Sequence, residues 1–205
     1  FGAASVAAGV SIKKLIEECG FQLFNCELND VNGGSFRVYA TPKNSDMKKI
    51  SSQQFRDVSM YRINSILSHE KTLKLDEPEI WNDFYNKIKE LKEQTLSFIN
   101  QEKSNGKKIW AYGASTKGNT LLQYFELDNT LIDGIAERSF YKWGLKTIGT
   151  DIPIYSEDEM RKANPDYLLV LPWHFINEFI LREDEFLKKG GKFIVPCPKF
   201  EIISK

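Results

Sequence analysis

The residues best suited to chemistry lie in three short segments, each following an apolar run. The first is Gly113-Ala114-Ser115-Thr116-Lys117-Gly118-Asn119-Thr120. Glycines at a strand-to-helix turn let the backbone come close to a ligand. The amides at a helix start, with the helix dipole, suit a phosphate or pyrophosphate. Ser115, Thr116 and Thr120 add hydroxyls, Asn119 an amide and Lys117 a charge. Against the G-x-G-x-x-G pattern of dinucleotide sites, Ser115 stands where the second glycine lets a pyrophosphate approach the backbone, so the spacing argues for a different ligand pose. The G-K-[ST] end of a P-loop is absent, and that reading drops out. A ligand-free structural turn stays open beside anion binding.

The second segment is Glu137–Gly144. Glu137 follows Gly118 by 19 positions, near where a dinucleotide fold places its ribose-binding acid. That keeps an NAD(P)-linked oxidoreductase open as an alternative. Arg138, Lys142 and Lys146 in the same stretch would suit a sugar phosphate, or form a solvated charged loop. The third segment is Pro172-Trp173-His174. A tryptophan can stack on a sugar or base ring, and a histidine can donate to a phosphate or exchange protons near neutral pH. Alternatively, Trp173 packs on the next helix and His174 caps it. His69 lies in a polar stretch and reads as exposed. No G-x-S-x-G elbow, H-E-x-x-H pair, zinc-ligand spacing or carboxylate pair supplies a catalytic set by motif.

The elements that must position these segments follow from periodicity. Lys107–Tyr112, Leu131–Glu137, Ile152–Tyr155, Asp166–Leu171 and Lys192–Pro196 read as strands. Helices are expected over about 119–125, from the capping box Ser156-x-x-Glu159, and over about 175–189, ended by Gly190-Gly191. Strands alternating with helices at this spacing predict an α/β fold, a doubly wound, mostly parallel sheet over residues 106–205. Ligands bind such sheets beyond the carboxyl ends of the strands, where strand order reverses. Upstream, residues 43–105 read as a helical linker, with a short helix over 59–70 and a longer one from Glu79 to about Gln101 behind Pro78. Ile80, Trp81, Phe84, Ile88, Leu91, Leu96 and Ile99 form its apolar side. Before that, Ser11 reads as the N-cap and Gly20 as the stop of a helix carrying Ile12, Leu15, Ile16 and Cys19 on one face. Phe21–Leu28 and Ser35–Thr41 form an antiparallel hairpin through Asn32-Gly33-Gly34. Such a helix and hairpin cannot make a core alone and must pack on something else.

Composition narrows the class. Over 205 residues, 28 basic and 28 acidic side chains give no net charge, which argues against nucleic acid as the main partner. With 41% hydrophobic and 27% charged residues, the chain reads as a soluble globular protein. No run approaches the ~18 apolar residues of a membrane span. Cys19, Cys26 and Cys197 form no C-x-x-C pair, which fits a reducing cytoplasm. Cys19 and Cys197 are expected to be buried. FGAASVAAGV has no positive n-region and no Met, so a cut or incompletely represented end explains it better than a secretion signal.

Longer matches then carry a resemblance. Trp110-Ala-Tyr-Gly-Ala-Ser-Thr-Lys-Gly-Asn-Thr-Leu-Leu-Gln-Tyr124 resembles the hallmark loop of the C-terminal domain of sugar C-methyltransferases. Lys142-Trp-Gly144, Gly149-Thr-Asp-Ile-Pro153, Pro165-Asp-Tyr-Leu-Leu-Val-Leu-Pro-Trp-His-Phe175 and Gly190-Gly-Lys-Phe-Ile-Val-Pro196 match in the same order. Asn32-Gly-Gly-Ser-Phe-Arg-Val-Tyr39 is similar to the hairpin closing that family's methyltransferase domain. The resemblance covers roughly residues 11–203. It implies a three-part enzyme: a small zinc-binding domain, a domain for S-adenosylmethionine (SAM) and a Rossmann-like C-terminal domain. Such enzymes methylate a carbon beside the keto group of a nucleotide-linked 4-keto-6-deoxy sugar. A base removes the carbon-bound proton, donors hold the enolate, and SAM's methyl is aligned on the opposite side. By that resemblance Gly113–Thr120 helps hold the phosphates of a nucleotide-diphosphate sugar. Lys142, Trp143, Trp173 and His174 line the cleft.

The zinc cysteines, the SAM glycine loop and the histidine-rich segment expected to supply the base are not found in the sequence. Residues 1–42 therefore read as the remnant of a methyltransferase domain. The rest of that domain is the partner expected for the hairpin, SAM and zinc sites lie outside this chain, and the chain alone is expected to be inactive. A monomer is the simplest assembly, and a non-catalytic nucleotide-sugar-binding module stands beside the NAD(P)-linked oxidoreductase as an alternative.

Overall fold

The computed structural model describes residues 8–31, 34–75 and 77–205 of the 205. The chain divides into two compact units, one through Phe84 and one from Tyr85 to Lys205.

The first unit opens with helix α1 (Ala8–Glu18). Ser11 lies inside this helix, not at its cap. The cap comes from far along the chain, where the buried Glu70 carboxylate accepts from the amides of Gly9 (2.7 Å) and Val10 (2.9 Å). A carboxylate at a helix start satisfies orphan donors and meets the dipole favourably. Ile12 and Ile16 are half-buried, whereas Leu15 and Cys19 are exposed, so the expected apolar face narrows and Cys19 is not a core residue. Strands β1 (Phe21–Asn29) and β2 (Ser35–Pro42) pair antiparallel from Phe21↔Pro42 to Asn29↔Ser35. Asn32 and Gly33 of the expected turn lie outside the described residues.

After the short helix α2 (Met47–Ile50) comes α3 (Gln53–Thr72). It is longer than the 59–70 expected, because Ser52 caps it by accepting from the Phe55 amide at 3.2 Å. Helix α3 packs on the hairpin: Arg62 pairs with Glu27 at 2.9 Å, and Tyr39 donates to the same carboxylate. His69 is exposed.

Helix α4 (Pro78–Ser104) begins with its proline, as expected. Its latter part supplies Leu91, Leu96, Phe98 and Ile99 to the core of the second unit. That unit is built on β3 (Ile109–Tyr112), β4 (Ile135–Glu137), β5 (Ile154–Ser156), β6 (Tyr167–Val170), β7 (Lys192–Val195) and β8 (Glu201–Ile203), in the order β5-β4-β3-β6-β7-β8. All neighbours are parallel except the β7–β8 pair. Intervening helices are α5 (Thr116–Phe125), α6 (Glu157–Ala163), α7 (Ile176–Arg182) and α8 (Asp184–Lys188).

Alternation along β3 sorts the two faces. Ile109 and Ala111 join the layer of α4 and α5, while Trp110 and Tyr112 join Met160, Phe179 and Leu187 of α6, α7 and α8. With both faces covered, the inner strands are fully buried, as parallel strands require. The doubly wound, Rossmann-like α/β fold is therefore as expected. Several boundaries differ: the strand expected over Leu131–Glu137 shortens to Ile135–Glu137, and those expected from Lys107 and Ile152 begin at Ile109 and Ile154. The expected helix over 175–189 is split at the buried Glu183, α5 starts earlier than 119, and β8 was not anticipated.

Candidate functional site

The chain runs outward from β3 to β4 and β5, then crosses back to β6 on the other side of β3, so the loops after β3 and β6 lead in opposite directions and leave a crevice. A cleft of about 810 Å³ lies there, within the 300–1,000 Å³ range of small-molecule sites. The turn after β3 gives Gly113, Ser115 and Thr116, the loop after β4 gives Glu137 to Lys142, and the segment after β6 gives Pro172 and Phe175.

Each loop is held in place. Gly113 has φ +85°, and a Cβ there would stand 2.7 Å from Pro172 Cγ, so the first and third loops meet over a missing side chain. Ser115 is the N-cap of α5, its Oγ accepting from the Gly118 amide at 3.0 Å. This directs the start of α5, with its positive dipole end, at the cleft wall. Lys142 is a clasp between loops: Nζ donates to Ala114 O at 2.6 Å and lies 3.4 Å from Glu137 Oε2. Glu137, last residue of β4, also accepts from the Ser139 amide at 2.8 Å, and its carbonyl accepts from Trp143 Nε1 at 2.8 Å.

Of the residues singled out from sequence, Gly113, Ser115, Thr116, Glu137, Arg138 and Lys142 come together around this cleft. Asn119 and Lys146 instead line a smaller recess of about 240 Å³, which shares Ser115, Thr116 and Lys142. Lys117, Gly118, Thr120, Trp143, Trp173 and His174 line neither. Their positions have physical reasons. Gly118 is buried against Leu171 as the close contact between α5 and the sheet. Thr120 turns its hydroxyl back to Thr116 O. Trp143 is tied to the Glu137 carbonyl, and Trp173 packs against both core layers. His174 packs against Phe175, the ring centroids 4.3 Å apart and the planes tilted by 47°. Burial, and then the nearby Lys117 charge, hold the His174 imidazole below its ordinary pKa.

Sequence reasoning missed a polar cluster that reaches the cleft through Tyr112, Glu157 and Arg182 and continues beneath it to the buried Glu183. Tyr112 OH lies 2.8 Å from Glu183 Oε1 and 2.9 Å from Glu157 Oε1. Arg161 pairs with both glutamates, and Arg182 reaches Glu157 at 3.2 Å. Burial first, then the Glu183 and Glu157 charges, push the Tyr112 phenol well up, so it stays protonated. Arg161 is held charged chiefly by its hydrogen bond to Glu183. The partners lie up to 71 residues apart, and no local pattern announces them. The aromatic pair Phe140–Tyr141, also on the cleft wall, was not singled out either.

A doubly wound sheet with a switch-point cleft, a glycine turn, a capped helix start and an acid ending the second strand defines a Rossmann-like α/β unit. The C-methyltransferase C-terminal domain family matches residues 30–198. C-methyltransferase NovU of Streptomyces niveus is 30% identical over 194 residues, which are 95% of this chain and 44% of that protein. The chain belongs to the C-methyltransferase family, by its C-terminal domain, and spans less than half the length of this relative. Among the described residues no helix is long and apolar enough to cross a membrane. Nor, among them, does any group of His, Cys, Asp or Glu have the arrangement to hold a metal ion.

Proposed function

We propose that this chain is the substrate-holding portion of a SAM-dependent C-methyltransferase acting on a nucleotide-linked keto-deoxy sugar. The observation that carries the reading is the cleft of about 810 Å³ at the strand-order switch, in a chain of the C-methyltransferase family. That volume takes one nucleotide-diphosphate sugar, with the start of α5 and Arg138 offering positive potential to its phosphates. The Lys142 clasp fixes the two walls relative to each other, so the sugar is held by a preorganised site.

SAM supplies the methyl group, and a second ligand of its size needs its own site. We place that site, the base for the carbon acid and any zinc in parts of the enzyme beyond this α/β unit, and read the chain alone as inactive. The described residues offer no ligand set for zinc. A monomer in the cytoplasm, without nucleic acid as partner, completes the reading.

Glu137 favours a second reading. It ends the strand after the glycine turn, where a dinucleotide's ribose acid stands, which suits NAD(P). Separate calorimetric titrations with SAM, NAD(H) and a dTDP-sugar decide. Heat with the dTDP-sugar, reduced several-fold by Arg138→Ala, is expected. Tight NAD binding with no response to the nucleotide sugar would overturn the methyltransferase substrate assignment.

A further inference from the structure

We propose that the Phe140–Tyr141 pair is the platform on which the planar base of the bound nucleotide lies. This rests on the nucleotide-sugar reading and adds the ligand's polarity in the cleft.

Phe140 and Tyr141 sit on the short 3-10 turn Phe140–Lys142, 62% and 78% exposed. Their ring centroids are 4.0 Å apart with planes tilted by 33°. Two large aromatic rings kept in solvent lose the burial that normally offsets their hydration cost. The exposure does not come from a loose loop. The turn is fastened at Lys142 to Ala114 O, at Trp143 to Glu137 O, and at the Gly144 amide to Ile154 O (2.9 Å). Exposed rings on a fastened turn are preorganised for a flat ligand, because little further ordering is required on binding.

The chemistry of the cleft walls is divided to match. Hydroxyls and the helix start, at Ser115 and Thr116, lie on the turn after β3, and the aromatic pair lies on the loop after β4. Arg138, next to the pair, is 72% exposed in its side chain and only loosely paired, 3.9 Å from Glu178. A ligand with one planar apolar end and one anionic middle fits this division, and a nucleoside diphosphate is that class. The base lies on Tyr141, the diphosphate between Arg138 and the start of α5, and the sugar continues past the phosphates. Stacking reads a π-face and not a hydrogen-bond pattern, so the platform accepts pyrimidines and purines alike.

The test uses the whole chain and calorimetric titration of dTDP, with inorganic pyrophosphate as comparator. Tyr141→Ala is expected to weaken dTDP binding roughly tenfold, leave pyrophosphate unchanged and be rescued by Tyr141→Phe. Wild-type dTDP affinity in Tyr141→Ala, in a chain that loses it on Arg138→Ala, overturns the platform and leaves the nucleotide reading standing. Loss of both ligands by Tyr141→Ala, with an unchanged circular dichroism spectrum, also overturns it, since the ring then acts by shaping the turn. Failure of dTDP to bind the wild-type chain refutes the nucleotide reading and the platform with it.

Discussion

Replacing Gly118 by alanine sets helix propensity against packing, and the structure predicts which wins. Gly118 is in the first turn of α5, where alanine is intrinsically favoured by about 1 kcal/mol. A Cβ there would stand 2.6 Å from Leu171 Cβ and 3.0 Å from Ser115 Oγ. Leu171 Cβ is fixed to the backbone just after the buried strand β6, so it cannot swing aside. Overpacking of this kind costs ~1–3 kcal/mol. Crowding the Ser115 hydroxyl also weakens its cap on the Gly118 amide, which is worth about 1 kcal/mol. Gly118→Ala is therefore expected to destabilise the second unit by about 1–3 kcal/mol net.

Urea unfolding followed by tryptophan fluorescence measures it, since Trp110, Trp143 and Trp173 lie in that unit. With a slope of roughly 2 kcal/mol per molar, the midpoint falls by about 0.5–1.5 M. Gly144→Ala is the comparator, with φ +78° and no atom near the added Cβ. It carries only the conformational cost of about 1 kcal/mol. A midpoint that rises for Gly118→Ala would refute the packing argument.

Two other predictions follow from charge and burial. His174 is held below its ordinary pKa by burial and by Lys117, so folding favours the neutral ring. That contribution is complete above the unfolded pKa of about 6.5 and is lost as pH falls through the folded value. Lys117→Met should raise the His174 pKa in an NMR titration, leaving the share due to burial; a fall or no change counts against the assignment. For the thiols, Cys19 is exposed while Cys26 and Cys197 are buried, and burial pushes Cys197 up to about 11. Native alkylation mapped by mass spectrometry should modify Cys19 first, and Cys197 only after denaturation. Early modification of Cys197 would contradict its placement.

Much of the α/β unit was legible because its signals are local. Ser156 and Glu159 form the reciprocal capping box that their spacing announces, and Pro78 opens its helix. The apolar runs at Ile109–Tyr112 and Tyr167–Val170 are buried on both faces, as continuous apolar strands should be. The glycine turn and the acid ending the next strand could be placed on one crevice because a doubly wound sheet leaves few choices. Boundaries were less legible: Ser115, read as a phosphate ligand, is also the residue that starts α5.

What the sequence by itself determined is therefore the period of each element, the main turns and caps, and through them the doubly wound class. What only the tertiary structure decided are contacts between residues far apart in the chain. Glu70 caps α1 in place of Ser11, Cys19 faces solvent, and Gly118 is closed off by Leu171. Tyr112 meets Glu157 and the buried Glu183, while Trp173 goes to the core. The physical reason is common to all of them. Propensity, periodicity and capping act within a few residues, whereas burial and pairing are set by which surfaces the folded chain brings together.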